Sequence, residues 1–199
     1  GLTAYGVATS PAILSLIFSS KVTFFGLIIA EFALVFAISG AINRLSLSTA
    51  TMLFILYSVI NGATLSSIFF AFSVATIGKV FFITAGTFGA MALVGYTTKT
   101  DLTSMGKLLF MALLGIIIAS VVNMFVASSG LDLILSYVGV LVFVGLTAYD
   151  TQKIKQMCQA APDASESTQK LALIGALSLY LDFINLFLYL LRIFGNNRD

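Results

Sequence analysis

Runs of about twenty predominantly apolar residues follow one another along almost the whole chain, with short polar segments between them. Each run is long enough for an α-helix to cross a bilayer core of about 30 Å. Only 9% of the 199 residues are charged, whereas a soluble globular domain carries about 25%. The sequence therefore predicts an all-α membrane protein, with six full spans at 22–43, 50–72, 79–98, 107–127, 131–152 and 171–193.

The residues before Pro11 and residues 154–170 lie outside the six full spans. The residues before Pro11 are interpreted as the tail of a first membrane helix that is otherwise largely missing from this chain. Residues 154–170 contain Pro162 and several charges, and they predict an exposed cytoplasmic loop. No segment divides the chain, so a single transmembrane domain is expected over residues 1–199.

The distribution of basic residues predicts the orientation, because cytoplasmic loops are enriched in Lys and Arg. Alternate loops form two sets, and the richer set is assigned to the cytoplasm. The C-terminus is then expected on the opposite side of the membrane. The richer set contains Arg44, Lys99, Lys107, Lys153, Lys155 and Lys170; the poorer one contains Lys21, Lys79, Arg192 and Arg198.

Composition excludes several classes of function. The net charge of +2 provides no basic surface for nucleic acid. The chain has no histidine and one cysteine, Cys158, which excludes zinc sites, Cys/His catalysis and an intrachain disulfide. Because histidine is absent, a response to pH near neutrality would have to come from carboxylates in a perturbed environment.

The acids Glu31, Asp150 and Asp182 fall within predicted spans. An ionisable group at bilayer depth costs at least about 2.5–3.5 kcal/mol, and it usually faces the bundle interior or a water-filled cavity. Asp182 lies near the middle of the last span. Residues three or four apart share a helix face, and here that face is polar: Gly175, Ser178, Asp182, Asn185 and Tyr189.

Structural interpretations of these residues stay open. Ser178 and Asn185 would also suit a helix-packing seam with interhelical hydrogen bonds. Asp150 would also suit the membrane interface, and Glu31 a hydrogen bond to a neighbouring helix. Asn61 and Asn123 are interpreted as helix-packing residues rather than site residues. The small-residue pairs Ala85/Gly89 and Gly86/Ala90 predict close helix approach and no chemical role.

Asp150 and Asp182 would acquire a specific chemistry if they met. Two carboxylates in one low-dielectric site cannot easily both ionise, so they titrate as a coupled pair. When both are ionised, they form a hard oxygen site suited to Ca²⁺. Arg44 lies on the same predicted side as Asp150 and would act as a latch by pairing with an acid. From the residues alone, however, an ordinary positive-inside anchor is the better interpretation.

The segments GLTAYDTQKIK and LYLDFINLFLYLLRIFG resemble the bacterial branch of the BAX inhibitor motif (TMBIM) family, and EFALVFAIS and LYSVINGATLSSIF extend the resemblance. The resemblance implies a seven-transmembrane-helix bundle with a central polar last helix, in the bacterial inner membrane. It implies a pH-sensitive calcium leak gated by the pair Asp150 and Asp182, with Arg44 as the latch. Glu31 matches an acidic position of the family and, with Ser178, Asn185 and Tyr189, is a secondary pore or ion candidate.

The depths of the two aspartates conflict with this pairing. At about 1.5 Å per residue, Asp182 lies roughly 18 Å along its helix from Lys170, whereas Asp150 lies roughly 5 Å from Lys153. The carboxylates can meet only if the span that carries Asp150 sits deeper in the membrane than these boundaries say, or if a cytoplasmic cavity reaches down to Asp182.

Three rival functions remain. Intramembrane aspartyl proteases also place a Tyr-Asp on one helix and an aspartate on the next. Their second aspartate follows a Gly-x-Gly motif, whereas the sequence here is LYLD, and their Pro-Ala-Leu motif is absent. No enzyme activity is therefore expected. A proton-coupled transporter would suit the acids, yet no inverted repeat is visible. A binding protein that regulates a membrane protease or a cell-death partner is the third. The expected partners are calcium ions, protons, the lipid bilayer and other membrane proteins.

Overall fold

A computed structural model describes residues 1–160, 163 and 165–195, and within these ranges the chain is helical without strands. Short loops join successive helices, as expected where each apolar run must turn back into the membrane. The helices are α1 (Leu2–Ala8), α2 (Pro11–Phe18), α3 (Lys21–Ala41), α4 (Leu47–Leu65), α5 (Ile68–Ala71), α6 (Val74–Thr97), α7 (Thr103–Val126), α8 (Ser129–Ala160) and α9 (Glu166–Phe194).

Within the described residues, six segments are long and apolar enough to cross a membrane, which confirms the six predicted spans. They are α3, α4 with α5 (Leu47–Ala71), α6, α7, α8 and α9. The helices α1 and α2 are each too short to span, so a seventh spanning helix stays a prediction. Pro11 is the first residue of α2, a position where proline loses no helical hydrogen bond.

The exposed loop predicted over residues 154–170 is wrong over most of its length. Helix α8 continues to Ala160 and α9 already begins at Glu166. Lys153 and Lys155 mark the end of the apolar run, but both are good helix formers, so the helix continues past the apolar region. Pro162 lies outside the described residues.

The described residues cluster in two compact units. The first comprises residues 1–74, 163 and 165–174, and the second comprises residues 75–160 and 175–195. The single undivided domain expected from the sequence stays a prediction. In the first unit, α9 is tied to α4 at its start, where the backbone N–H of Leu47 donates to Oε1 of Glu166 at 3.0 Å.

Glycines bring the helices of the second unit together. A Cβ at Gly139 would lie 2.7 Å from the Tyr189 ring, and one at Gly175 would lie 2.7 Å from Ile154. The same close approach joins Gly95 to the Ala148 backbone and Gly106 to the Tyr149 ring. These contacts set the distance of α8 from α6, α7 and α9.

The small-residue pairs singled out in the sequence are not the ones that lie at these close helix contacts. A Cβ added at Gly86 or Gly89 would meet nothing within 4 Å, so the predicted close helix approach at these pairs is wrong for the described residues. Both glycines are exposed on α6. Small-residue spacing alone does not determine which face of a membrane helix is packed.

Candidate functional site

Asp150 on α8 and Asp182 on α9 are neighbours, and their carboxyl groups are close enough to interact with each other. Helix α8 continues beyond the predicted end of its span. Asp150 lies about 15 Å along the axis from the helix end at Ala160, at 1.5 Å per residue. This length is compatible with a deeper position of Asp150, while the depth of both aspartates in a membrane stays a prediction.

Close helix packing positions the pair. One turn after Asp150, Ile154 packs against Gly175, which lies two turns before Asp182 on the antiparallel helix α9. On the other side of the pair, the Tyr189 ring of α9 packs against Gly139 and stacks on Phe143, with ring centroids 5.9 Å apart. Contacts above and below the aspartates thus hold α8 and α9 in register.

The two carboxyl groups have different surroundings. Asp182 is only 4% exposed, and its Oδ2 has no hydrogen-bond partner among the described residues. Asp150 is half-buried, and the Lys153 ammonium acts on it electrostatically. Since an ionised carboxylate only accepts hydrogen bonds, a hydrogen bond between these two groups requires a proton on one of them.

Two of the remaining polar residues on this face of α9, Asn185 and Tyr189, have structural contacts. Nδ2 of Asn185 donates to the Leu181 carbonyl oxygen of its own helix at 2.8 Å. Tyr189 carries the aromatic packing described above, and Ser178 is half-buried. Their roles as secondary pore or ion candidates stay predictions.

Glu31 belongs to a hydrogen-bonded cluster in the first unit. Its Oε2 accepts a bond from Nδ2 of Asn61 at 2.9 Å, and its Oε1 accepts one from the Thr64 hydroxyl at 2.6 Å. These bonds join α3 to α4. The geometry is that of the structural interpretation, and a role for Glu31 in ion passage stays a prediction.

Arg44 lies in the exposed turn between α3 and α4. Its guanidinium forms no ion pair with a carboxylate in the part of the chain that the structure describes. This exposed position agrees with the anchor interpretation, while the cytoplasmic location of Arg44 and its latch role stay predictions.

Sequence reasoning did not identify Gln152. This buried side chain on α8 accepts a bond from the Leu102 backbone N–H at 2.9 Å and donates to the Thr100 carbonyl oxygen at 2.8 Å. It thereby fixes the loop between α6 and α7 two residues beyond Asp150. The only sequence signal was a neutral amide inside GLTAYDTQK, next to charged residues that are more conspicuous.

A cavity of about 340 Å³ opens beside the C-terminal half of α8. Neither aspartate lines it. Lys155, on its wall, donates to the Tyr96 carbonyl oxygen at 2.7 Å and lies 4.8 Å from the centre of the Tyr96 ring. The other lining residues are Thr151, Ile154, Cys158, Gln159 and Leu179.

The aspartate pair is a small set of ligands for a metal ion. Among the described residues, no group of three or more His, Cys, Asp or Glu side chains is arranged to hold one. Ca²⁺ takes 6–8 oxygen ligands, and two carboxylates supply at most four. This ligand set suits brief contact with a largely hydrated cation better than tight storage.

Comparison with known proteins gives matches over the whole chain. The family described as "Inhibitor of apoptosis-promoting Bax1" matches residues 1–199. The inner membrane protein YbhL of Escherichia coli K12 is 54% identical over 196 residues, which cover 98% of this chain and 84% of YbhL. An uncharacterized protein of Borreliella burgdorferi is 52% identical with the same coverage. An uncharacterized membrane protein of Streptococcus pyogenes is 40% identical over 93% of this chain and 80% of its own length.

Proposed function

This chain belongs to the Bax1-inhibitor family of membrane proteins, and from that premise we propose that it is a pH-sensitive calcium-leak channel. In this proposal, Asp150 and Asp182 share a proton and gate the pathway. Arg44 stabilises the closed state by pairing with an acid. The protein lies in the bacterial inner membrane, with its C-terminus away from the cytoplasm.

The contact between a buried and a half-buried carboxyl group carries the proposal. Asp182 has a side-chain oxygen without a donor among the described residues, and Asp150 is the ionisable group beside it. A shared proton would satisfy this oxygen and remove the repulsion between two anions. Loss of that proton would restore the repulsion, so protonation would change how tightly α8 and α9 pack around the pair.

The same pair supplies the attraction for a cation. Two ionised carboxylates in a site of low dielectric constant attract a divalent cation more strongly than a monovalent one. Because they offer few of the oxygens that Ca²⁺ prefers, the ion would leave as readily as it enters. The proposal assigns the aspartates to ion passage and not to peptide hydrolysis.

Calcium flux into proteoliposomes, measured over a range of pH, tests this function. We expect flux that changes with pH in the wild type and loses that change in Asp150→Asn or Asp182→Asn. Asp101→Asn is the matched control, since it removes a carboxylate from an exposed loop. Arg44→Ala is expected to raise flux under conditions that close the wild type. Absence of flux at every pH, or equal flux in all variants, would reject the channel.

The description of the family favours one second candidate. It names inhibition of an apoptosis-promoting protein, which suggests a membrane protein that regulates a protease or cell-death partner. In that case the aspartates would be structural. Wild-type flux of zero, together with lower thermal stability of Asp182→Asn, would favour this candidate over the channel.

A further inference from the structure

A second cavity, of about 630 Å³, opens between α7, α8 and α9. It lies near the start of α8 and the end of α9. We propose that this cavity, lined by Asp132, Arg192, Tyr189 and an apolar stripe of α7, binds a zwitterionic membrane phospholipid whose headgroup carries a phosphate and a primary ammonium. Its volume is within the range of about 300–1,000 Å³ typical of small-molecule sites.

Two opposite charges define the polar end of the cavity. Nη1 of Arg192 lies 4.0 Å from Oδ1 of Asp132, and the two side chains are 52% and 60% exposed. Charge-assisted hydrogen bonds are typically about 2.7–2.9 Å long, so each group retains donors or acceptors for a ligand. Arg192 suits a phosphate through its planar fork of N–H donors, and Asp132 suits an ammonium.

The positions of these charges correspond to the level of lipid headgroups. Asp132 is in the first turn of α8, and Arg192 is in the last turn of α9. At about 1.5 Å per residue, Asp132 lies about 4.5 Å from the start of α8 and Arg192 about 3 Å from the end of α9. The Tyr189 ring, 5.6 Å from the Arg192 guanidinium, forms the floor beneath the charged pair.

An apolar stripe leads away from the charges. Ile117, Val121 and Met124 line the cavity from one face of α7, and they are 51%, 51% and 77% exposed. The stripe extends for about 10 Å along the helix, in the direction in which an acyl chain would lie. A soluble amino acid or a free phosphate would leave this stripe uncovered, whereas a phospholipid covers it.

Charge balance favours a zwitterion over an anionic lipid. The pair has no net charge, and a headgroup with phosphate alone would face the Asp132 carboxylate as well as the Arg192 guanidinium. A primary ammonium relieves this repulsion and donates hydrogen bonds, which a quaternary ammonium does not. The lipid class expected is therefore phosphatidylethanolamine.

The chain contains no tryptophan, so a single introduced tryptophan reports on one site. Val121→Trp places the probe in the cavity. Ile118→Trp, on the same helix and 65% exposed but outside the cavity lining, is the matched control. Quenching is measured in phosphatidylcholine vesicles that contain brominated phosphatidylethanolamine, phosphatidylglycerol or phosphatidylcholine at equal mole fraction.

We expect phosphatidylethanolamine to bind at Val121→Trp about fivefold better than the other two lipids, the ratio that corresponds to one hydrogen bond. Ile118→Trp should show no preference. Adding Arg192→Gln or Asp132→Asn should abolish the preference at position 121. If these charges serve only to complement the helix dipoles, their removal will leave lipid selection unchanged.

Three results would overturn the proposal: equal quenching by all lipids at position 121, stronger quenching by phosphatidylglycerol, or the same preference at position 118. Native mass spectrometry of the unsubstituted protein provides a second measurement, independent of whether the variants fold. Retention of phosphatidylethanolamine over the other two lipids would support the site, and equal retention would count against it.

Discussion

Replacing Gln152 with methionine removes both hydrogen bonds to the loop between α6 and α7 and nearly conserves the side-chain volume. A hydrogen bond contributes about 0.5–1.5 kcal/mol net, so two contribute about 1–3 kcal/mol. Thr100 is exposed and Leu102 is only half-buried, and water can therefore replace the lost partners. We expect the free energy of unfolding to fall by about 1–2 kcal/mol, in the lower part of that range.

Denaturant titration in detergent micelles measures this change, and amide hydrogen exchange localises it. The Leu102 N–H should exchange faster in Gln152→Met, because Gln152 Oε1 is its acceptor. Gln156→Met is the matched control, the same substitution one turn further along α8 at an exposed position. The reasoning is refuted if both variants lose the same stability, or if Gln152→Met stays within about 0.5 kcal/mol of the wild type.

Two further predictions concern other parts of the second unit. Gly139→Leu should destabilise the protein by about 1–3 kcal/mol through overpacking. Gly86→Leu, at an open position, should change the free energy of unfolding little. Equal effects of the two substitutions in denaturant titrations would contradict the assigned packing. Hydrogen bonds from the Thr103 hydroxyl and backbone N–H lower the pKa of Asp101. The ionised carboxylate therefore stabilises the fold at pH values above the pKa that Asp101 has in the unfolded chain. This stabilisation is lost as the pH falls through the pKa of Asp101 in the folded protein. Thr103→Val should raise the pKa of Asp101 towards its ordinary value of about 3.9, and a carbon-detected NMR titration that shows no change would contradict this assignment.

The spans were predictable because the bilayer imposes one requirement on every crossing helix, an apolar length near 30 Å. The ends of the helices were not predictable in the same way. Hydropathy reports where the apolar environment ends, whereas a helix continues for as long as its residues favour it. Helix α8 therefore runs to Ala160 although its apolar part ends at Lys153.

The packing contacts were harder to predict than the spans. Gly139 and Gly175 lie at close helix contacts, while Gly86 and Gly89 do not, and nothing in the local spacing separates the two pairs. Which face of a membrane helix packs against protein depends on the partner helices. The contact between Asp150 and Asp182 depends on the same information, because both the register of α8 with α9 and the length of α8 determine it.

Glu31 and Asp182 look alike in the sequence, but their side-chain oxygens differ in their hydrogen-bond partners. Both are acids within apolar spans, but both oxygens of Glu31 accept hydrogen bonds, from Asn61 and Thr64, whereas Oδ2 of Asp182 has no donor among the described residues. A buried acceptor left unpaired costs about 1–3 kcal/mol, and a proton on the neighbouring carboxyl group would remove that cost. Glu31 has no such need, because neutral donors already satisfy it. The proposed response to protons is therefore assigned to Asp182 and its neighbour Asp150, and the gating hypothesis depends on that pair and not on Glu31.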